Sequence, residues 1–211
     1  MTHEWSHYQR AVFDDLARGD GHTVVLARAG SGKTTTIVEG LKYLPVDAKA
    51  LLVAFNKSIQ VELATRGPPG CRALTLHSMG LRTLSRARSI HVNEYRMHPL
   101  ADAVLGKMSQ NDGVRTALLR LCSLGKNLLL EEPAELRDAA LDFGLETEDE
   151  LITVEDLAVL AAECLRRARE FDGEVDFDDM IWLPVVLGMR PETFSHLLVD
   201  EPQDQNRAQL E

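Results

Sequence analysis

The segment Ala27–Thr34, Ala-Arg-Ala-Gly-Ser-Gly-Lys-Thr, has the pattern of a phosphate-binding loop. Gly30 and Gly32 can adopt backbone angles that other residues avoid, so that successive N–H groups turn toward a phosphate at the start of a helix. In such a loop Lys33 reaches the β- and γ-phosphates of a nucleotide, and the hydroxyl of Thr34 ligates Mg²⁺. The segment therefore predicts a nucleotide site.

The residues on both sides of the loop support this interpretation. The run Thr23–Leu26 predicts the strand that such a loop leaves, and Thr35–Leu44 predicts the helix that follows. Ala27 stands where the pattern has glycine, and one methyl group is tolerated there if φ is negative. A plain glycine turn is the alternative, and the order of strand, loop, Lys-Thr pair and helix argues against it.

Length and composition indicate a soluble globular protein with one or two domains, because 45% of the 211 residues are hydrophobic. Apolar stretches are far shorter than the roughly 20 residues of a membrane helix, and the first residues lack the pattern of a signal peptide. We therefore expect a cytoplasmic protein. Cys71, Cys122 and Cys164 follow no metal-ligand spacing, so we expect reduced core thiols.

Charge is distributed unevenly along the chain, whose net charge is −10. Residues 66–130 contain ten Lys or Arg against three Asp or Glu, whereas residues 131–156 contain eleven acids and one Arg. A local positive field can attract a phosphate backbone whatever the overall sign of the protein. The basic segment predicts either a surface for nucleic acid or ordinary solvated helix faces.

The order of elements predicts an α/β fold with a parallel sheet flanked by helices. Ser6 is expected to cap a helix that ends at Gly19 and Gly21. The other elements expected in this part are strands at Ala50–Ala54, Ala73–Leu76 and Phe194–Asp200 and helices at Lys57–Thr65 and His77–Leu84.

From residue 85 to residue 169 the strand pattern is lost, and nearly all of the sequence predicts helix. The expected helices are Pro99–Met108, Val114–Leu124, Pro133–Phe143 and Val154–Glu170, the last with a capping box that begins at Thr153. We therefore expect one domain made of residues 1–84 and 170–211, interrupted by an all-helical insert at residues 85–169.

The apolar run Leu197–Val199 ends in two carboxylates, Asp200 and Glu201. A buried strand delivers such a pair to the edge of the sheet where open α/β folds bind ligands. Asp200 is expected to hold Mg²⁺, mostly through water, and Glu201 to orient or deprotonate an attacking water. An ordinary strand end is the alternative.

With both halves of the site in place, the chain resembles the UvrD/Rep/PcrA-like superfamily 1 DNA helicases over nearly its whole length. The motifs that resemble those of the family, in the family's order, are Ser6–Gln9, Ala29–Thr35, Val53–Lys57, Leu74–Met79, Val175–Met180 and Val199–Asp204. The Ala-Phe-Asn-Lys-Ser form of the third motif is similar to the F-box-helicase-like branch. Pro202 departs from the Tyr or Ala that the family often has.

The resemblance implies a P-loop NTPase fold of the RecA-like type, with ATP and Mg²⁺ as cofactors. It implies that Gln9 contacts adenine and that Gln203 belongs to the catalytic group with Lys33 and Glu201. The phosphate loop would bind nucleotide through Ala29, Gly30, Ser31, Gly32, Lys33, Thr34 and Thr35. The residues that the resemblance assigns to single-stranded DNA are Phe55, Asn56, Thr75, His77 and Ser78.

The resemblance also implies a second RecA-like domain that supplies arginines to the γ-phosphate. Residues 1–211 alone are therefore expected to bind nucleotide but to hydrolyse it slowly, as the N-terminal part of a helicase for DNA repair or recombination. A stand-alone nucleotide-dependent binding module and the motor of an AddA/RecB-like helicase-nuclease are the alternatives. In the family a sensor strand lies between Thr23–Leu26 and the Asp200 strand. Without it, we expect either displacement of Asp200 or self-association through exposed strand edges.

Overall fold

A computed structural model describes residues 4–19, 21–28, 30–53, 68–107, 111–145 and 152–211. The chain divides into two compact units, which are described separately. Unit 1 comprises Met1–Thr75 and Glu192–Gln203, and unit 2 comprises Leu76–Pro191 and Asp204–Glu211. The expected domains, residues 1–84 with 170–211 and the insert 85–169, stay predictions.

The described residues form a mixed α/β structure. Its helices are α1 (His7–Arg18), α2 (Lys33–Gly40), α3 (Leu76–Ser85), α4 (Met97–Leu105), α5 (Asp112–Leu128), α6 (Pro133–Asp142), α7 (Val154–Ala168), α8 (Asp179–Val186) and α9 (Arg207–Leu210). Its strands are β1 (Ala50–Val53), β2 (Cys71–Leu74), β3 (His91–Val92), β4 (Glu174–Val175) and β5 (His196–Val199). Short 3-10 helices span Leu41–Tyr43 and Pro202–Asp204.

Unit 1 is built on a small parallel sheet with the strand order β2-β1-β5. All four residues of β1 are buried, as expected of a central strand covered on both faces. Leu41, Ala50 and Leu52 form its core with partly buried residues of α2, β2 and β5. The sheet confirms the expected parallel α/β arrangement, while the helix expected at residues 57–65 lies outside the described residues.

The expected strand at Thr23–Leu26 is wrong, because these residues have no strand conformation. Val24 is 82% exposed and Leu26 93% exposed, and the hydroxyl of Thr23 donates a hydrogen bond to Asp15 of α1. Strand geometry is stabilised by pairing with a neighbour, and the described strands of this sheet pair only with one another. An apolar sequence run without such a partner gains little from becoming a strand.

Unit 2 is mainly helical, and helices α3 through α8 all contribute buried side chains to its core. The largest buried side chains include Leu118, Leu121, Leu136, Leu157 and Leu165. The predicted capping box of α7 is confirmed, since the Thr153 hydroxyl accepts from the N–H of Asp156 and the Asp156 carboxylate accepts from the N–H of Thr153. Two-residue strands β3 and β4 pair in parallel, so this part of the chain is less uniformly helical than expected.

A buried ionic cluster links four side chains inside unit 2. Lys126 Nζ lies 2.6 Å from Asp176 Oδ2 and 2.9 Å from Asp179 Oδ1. Arg96 donates to Asp179 Oδ2 at 2.6 Å and to the Ala168 carbonyl at 2.7 Å. Burial opposes the charge of Lys126, but the carboxylates of Asp179 and Asp176 outweigh it and raise the pKa of the lysine. Lys126 is therefore charged at neutral pH.

The three thiols are free, with Cys122 and Cys164 buried and Cys71 partly buried. Within the described ranges, no cluster of three or more His, Cys, Asp or Glu side chains is arranged to hold a metal ion. None of the helices of these ranges is long and apolar enough to cross a membrane.

Candidate nucleotide site

The phosphate loop has the backbone geometry that its glycines predict. Gly30 has φ +76° and Gly32 has φ +87°, whereas Ala27 avoids positive φ. Gly32 is the N-cap residue of α2, so no side chain caps the first N–H groups of this helix. These N–H groups and the helix dipole together favour a phosphate at this position.

The N-terminal helix contacts the helix that follows the loop through Gln9. Its side-chain oxygen accepts from the N–H of Ser6 at 3.0 Å, and its Nε2 donates to the hydroxyl of Thr36 at 2.9 Å. Thr36 in turn donates to the carbonyl of Gly32 at 2.9 Å. An amide has two donor hydrogens and two lone pairs, so one of each remains for the edge of an adenine.

A cleft of about 720 Å³ lies beside the phosphate loop and is lined by residues of the N-terminal helix and of the loop. Gln9 and Arg10 line it from α1, while Gly30, Ser31 and Thr35 line it from the loop and α2. The predicted adenine contact and most of the predicted phosphate contacts therefore surround one space. Ala29 is outside the described residues.

The carboxylate of Asp200 lies next to the predicted magnesium ligand of the loop. Asp200 is buried at the end of β5, and its Oδ2 is 3.5 Å from Thr34 Oγ1. Hydroxyl and carboxylate oxygens are ligands that Mg²⁺ prefers, alongside water and substrate phosphates. The donor set therefore fits Mg²⁺ bound with a nucleotide, and the expected displacement of Asp200 is not observed.

Glu201 pairs with the lysine of the phosphate loop. Its Oε1 is 2.6 Å from Lys33 Nζ, and its Oε2 accepts from Gln203 Nε2 at 2.7 Å. These hydrogen bonds, the one from Lys33 above all, lower the pKa of the Glu201 carboxyl. Glu201 also has φ +50°, a strained value for a non-glycine residue and one that recurs at functional sites.

The residues predicted to contact DNA fall in different parts of the chain. Thr75 follows β2 at the end of unit 1, whereas His77 and Ser78 lie in the first turn of α3 in unit 2. Phe55 and Asn56 are outside the described residues. The ring of His77 meets the exposed ring of Phe177, with the centroids 6.4 Å apart. Sequence reasoning assigned no role to Phe177, although its position in an acidic motif was a signal.

Comparison with known proteins places this chain in a family. The profile described as the UvrD/REP helicase N-terminal domain matches residues 9–211. The chain belongs to this family. The UvrD/REP assignment confirms the recognition made from the motifs.

One relative of this UvrD/REP chain is the ATP-dependent DNA helicase UvrD1 of Mycobacterium leprae (strain TN). The two are 27% identical over 214 residues, which cover 88% of this chain and 27% of that helicase. The chain therefore spans about a quarter of the relative's length.

Proposed function

We propose that the chain is the N-terminal ATP-binding portion of an ATP-dependent superfamily 1 DNA helicase, a translocase on single-stranded DNA that acts in repair or recombination. The observation that carries the proposal is the meeting of two distant motifs, with Asp200 beside Thr34 and Glu201 paired with Lys33. Family membership supports the parent activity. A RecA-like domain that needs a second such domain for fast turnover is part of the same proposal.

In the proposed mechanism, the N–H groups of the loop and Lys33 hold the phosphates while Gln9 contacts adenine. Bound Mg²⁺ would neutralise charge on the β- and γ-phosphates, with Thr34 and Asp200 positioned to hold it. As Lys33 turns to the phosphates, Glu201 loses the contact that lowers its pKa most. Its basicity then rises, so that it accepts a proton from the attacking water more readily.

Replacing Lys33 by alanine tests nucleotide binding directly. We expect affinity for an ATP analogue with Mg²⁺ to fall by roughly 10- to 150-fold, because a hydrogen-bonded charged group contributes about 1.5–3 kcal/mol. Isothermal titration of residues 1–211 measures it. The control is Lys42→Ala, since Lys42 pairs with Glu39 further along the chain. Equal affinities of Lys33→Ala and the wild type would contradict the nucleotide assignment.

Binding of single-stranded DNA is expected to weaken as salt concentration rises. Each phosphate contact contributes about −0.7 to the slope of log affinity against log salt for single strands. Arg82, Arg86 and Arg88 are all exposed, and Arg88 also donates to the Phe171 carbonyl and lies over the Phe171 ring. We therefore expect the double variant Arg82→Glu, Arg86→Glu to bind an oligothymidine more weakly and with a shallower slope.

Fluorescence anisotropy at several salt concentrations gives both the affinity for the oligothymidine and its dependence on salt. The variant Arg137→Glu is the control, because Arg137 pairs with its neighbour Asp138 on α6, away from the basic segment. An unchanged slope in the double variant would mean that the basic segment is only a solvated surface.

A further inference from the structure

The side-chain amide of Gln9 is held in one orientation by groups of fixed polarity. The N–H of Ser6 donates to Gln9 Oε1 at 3.0 Å, and a backbone N–H can only donate. The oxygen of the amide is therefore the atom that faces Ser6. The same two residues form the capping box of α1, in which the Ser6 hydroxyl accepts from the N–H of Gln9 at 3.3 Å.

The nitrogen of the same amide is fixed by Thr36. The Thr36 hydroxyl donates its hydrogen to the carbonyl of Gly32 at 2.9 Å, and a carbonyl can only accept. A hydroxyl has one hydrogen, so this group offers only lone pairs to Gln9, whose Nε2 donates to it at 2.9 Å. Because Thr36 is buried and Gly32 belongs to the phosphate loop, the amide is tied to the loop through a chain of directed hydrogen bonds.

Turning the amide over would place like groups against each other at both ends. Its NH₂ group would face the N–H of Ser6, and its oxygen would face the lone pairs of Thr36. Both hydrogen bonds would be lost, and one neutral hydrogen bond changes an equilibrium by roughly 2- to 13-fold. The observed orientation is therefore favoured before any ligand binds.

The same amide lines the cleft beside the phosphate loop, together with Gly30, Ser31 and Thr35. A Cβ atom on Gly32 would lie 3.8 Å from Gln9 Nε2, so the amide lies against the last glycine of the loop. A base bound in this cleft would meet the remaining N–H of Nε2 and the remaining lone pair of Oε1 in a fixed arrangement.

A fixed arrangement of donor and acceptor distinguishes purines by the group at position 6. Adenine carries an amino donor there beside the N7 acceptor, whereas a 6-oxo purine such as guanine or hypoxanthine carries a second acceptor. The amide can satisfy both groups of adenine. With a 6-oxo purine, either orientation of the amide sets its oxygen against an acceptor of the base, so one of the two contacts is always repulsive.

We propose that Thr36 is a positioning residue that gives the site its preference for 6-amino over 6-oxo purine nucleotides, because it holds the Gln9 amide in the orientation that adenine requires. The proposal rests on the proposed nucleotide-binding function and names a determinant of its specificity. The motif of the phosphate loop ends at Thr35 and assigns no role to Thr36. In this role Thr36 acts on the base only through Gln9.

The affinity ratio of two nucleotides that differ at position 6 tests this role. The probes are the β,γ-imido analogues of ATP and ITP, titrated with Mg²⁺ into residues 1–211. Thr36→Val keeps the shape of the side chain, and the Gly32 carbonyl keeps its hydrogen bond from the N–H of Thr36 at 2.9 Å. The variant should bind the ATP analogue more weakly by roughly 2- to 13-fold and the ITP analogue within about twofold of the wild type.

A rescue variant and a second background separate positioning from a general structural effect. Thr36→Ser retains the hydroxyl and should restore the wild-type ratio. In a Gln9→Ala background the ratio should fall toward one, and adding Thr36→Val should not change it further, because the hydroxyl acts through that amide. The matched control is Thr83→Val, since Thr83 is buried in α3 and its hydroxyl donates to the Met79 carbonyl at 2.9 Å. It should keep the wild-type ratio.

The outcomes separate this role from nucleotide binding itself. A Thr36→Val variant that keeps the wild-type ratio, or that loses affinity for both analogues equally, overturns the positioning role while nucleotide binding by the loop stands. A change in the ratio when Thr36→Val is added to Gln9→Ala overturns it as well. If the wild type binds neither analogue, the proposed nucleotide-binding function itself fails.

Discussion

Replacing Glu201 by glutamine is expected to slow ATP hydrolysis by about 10²- to 10⁴-fold, the usual contribution of a positioned general base. Glutamine has nearly the same shape and can still accept the hydrogen bond from Gln203, but it cannot take a proton from water. The metal ligands Thr34 and Asp200 are unchanged. The loss should therefore appear in the rate of hydrolysis.

Nucleotide affinity should respond in the opposite direction. Glu201 and the phosphates of a bound nucleotide would compete for one ammonium group, because Lys33 Nζ is 2.6 Å from Glu201 Oε1. The glutamine variant removes the charge that holds Lys33, so its affinity for an ATP analogue should equal or exceed that of the wild type. Titration of residues 1–211 measures this affinity, and steady-state ATPase of the complete helicase that we propose measures the rate.

The matched control for this variant is Glu39→Gln. Glu39 forms an ion pair of the same 2.6 Å length with Lys42, also on the surface of unit 1. It should leave both rate and affinity unchanged. A Glu201→Gln enzyme that hydrolyses ATP at the wild-type rate would exclude Glu201 as the base.

Features that depend on neighbours in the sequence were predictable. Ser6 caps α1 with Gln9 as its partner, Gly19 ends that helix at φ +70°, and Thr153 starts α7. Helix caps are local because their hydrogen bonds join residues at most four positions apart, and a positive φ angle is local because it is a property of a single residue. The same locality explains why the glycines of the phosphate loop predicted its shape.

Features that depend on partners far away in the sequence were not predictable. The Thr23–Leu26 run predicted a strand from its apolar character alone, whereas a strand also needs a neighbour to pair with. The hydrogen bond from Gln9 to Thr36 joins two residues that are 27 positions apart in the sequence, and nothing in either segment indicates it. Glu201 was predicted as a base, but its contact with Lys33 required the strand and the loop to meet.

Charge counting overestimates the positive charge at the surface of the basic segment. The basic segment 66–130 includes Lys126 and Arg96, which are buried among carboxylates, and Arg115, which pairs with Asp102. A count of charges along a sequence cannot separate such groups from those at the surface. The field that DNA would meet depends on fewer residues than the count suggests, and Arg82 and Arg86 are the clearest of these.

Self-association through strand edges stays a prediction. Within the described sheet β2 and β5 are the outer strands, and outer strands offer unpaired N–H and C=O groups to another chain. Light scattering of residues 1–211 over a range of concentrations measures it. A monodisperse monomer would contradict the prediction.

Replacing Lys126 by methionine is expected to lower the free energy of unfolding of unit 2 by about 3–5 kcal/mol, the usual cost of removing one partner of a buried ion pair. Methionine fills a similar volume, so the loss comes from charge. Asp176 and Asp179 would remain buried with Arg96 as the only cation of the cluster. The chain has two tryptophans, Trp5 in unit 1 and Trp182 in unit 2.

A Trp5→Phe background therefore leaves Trp182, whose ring lies 5.8 Å from Lys126 Nζ, as the reporter of unit 2 in urea unfolding. The exposed lysine Lys107 gives the control, and Lys107→Met should change the free energy by less than about 0.5 kcal/mol. Adding Asp176→Asn to Lys126→Met should restore part of the loss, since asparagine removes one unpaired charge and keeps the oxygen that accepts from Asp179. Equal unfolding of Lys126→Met and Lys107→Met would show that the buried ionic cluster contributes nothing to the stability of unit 2.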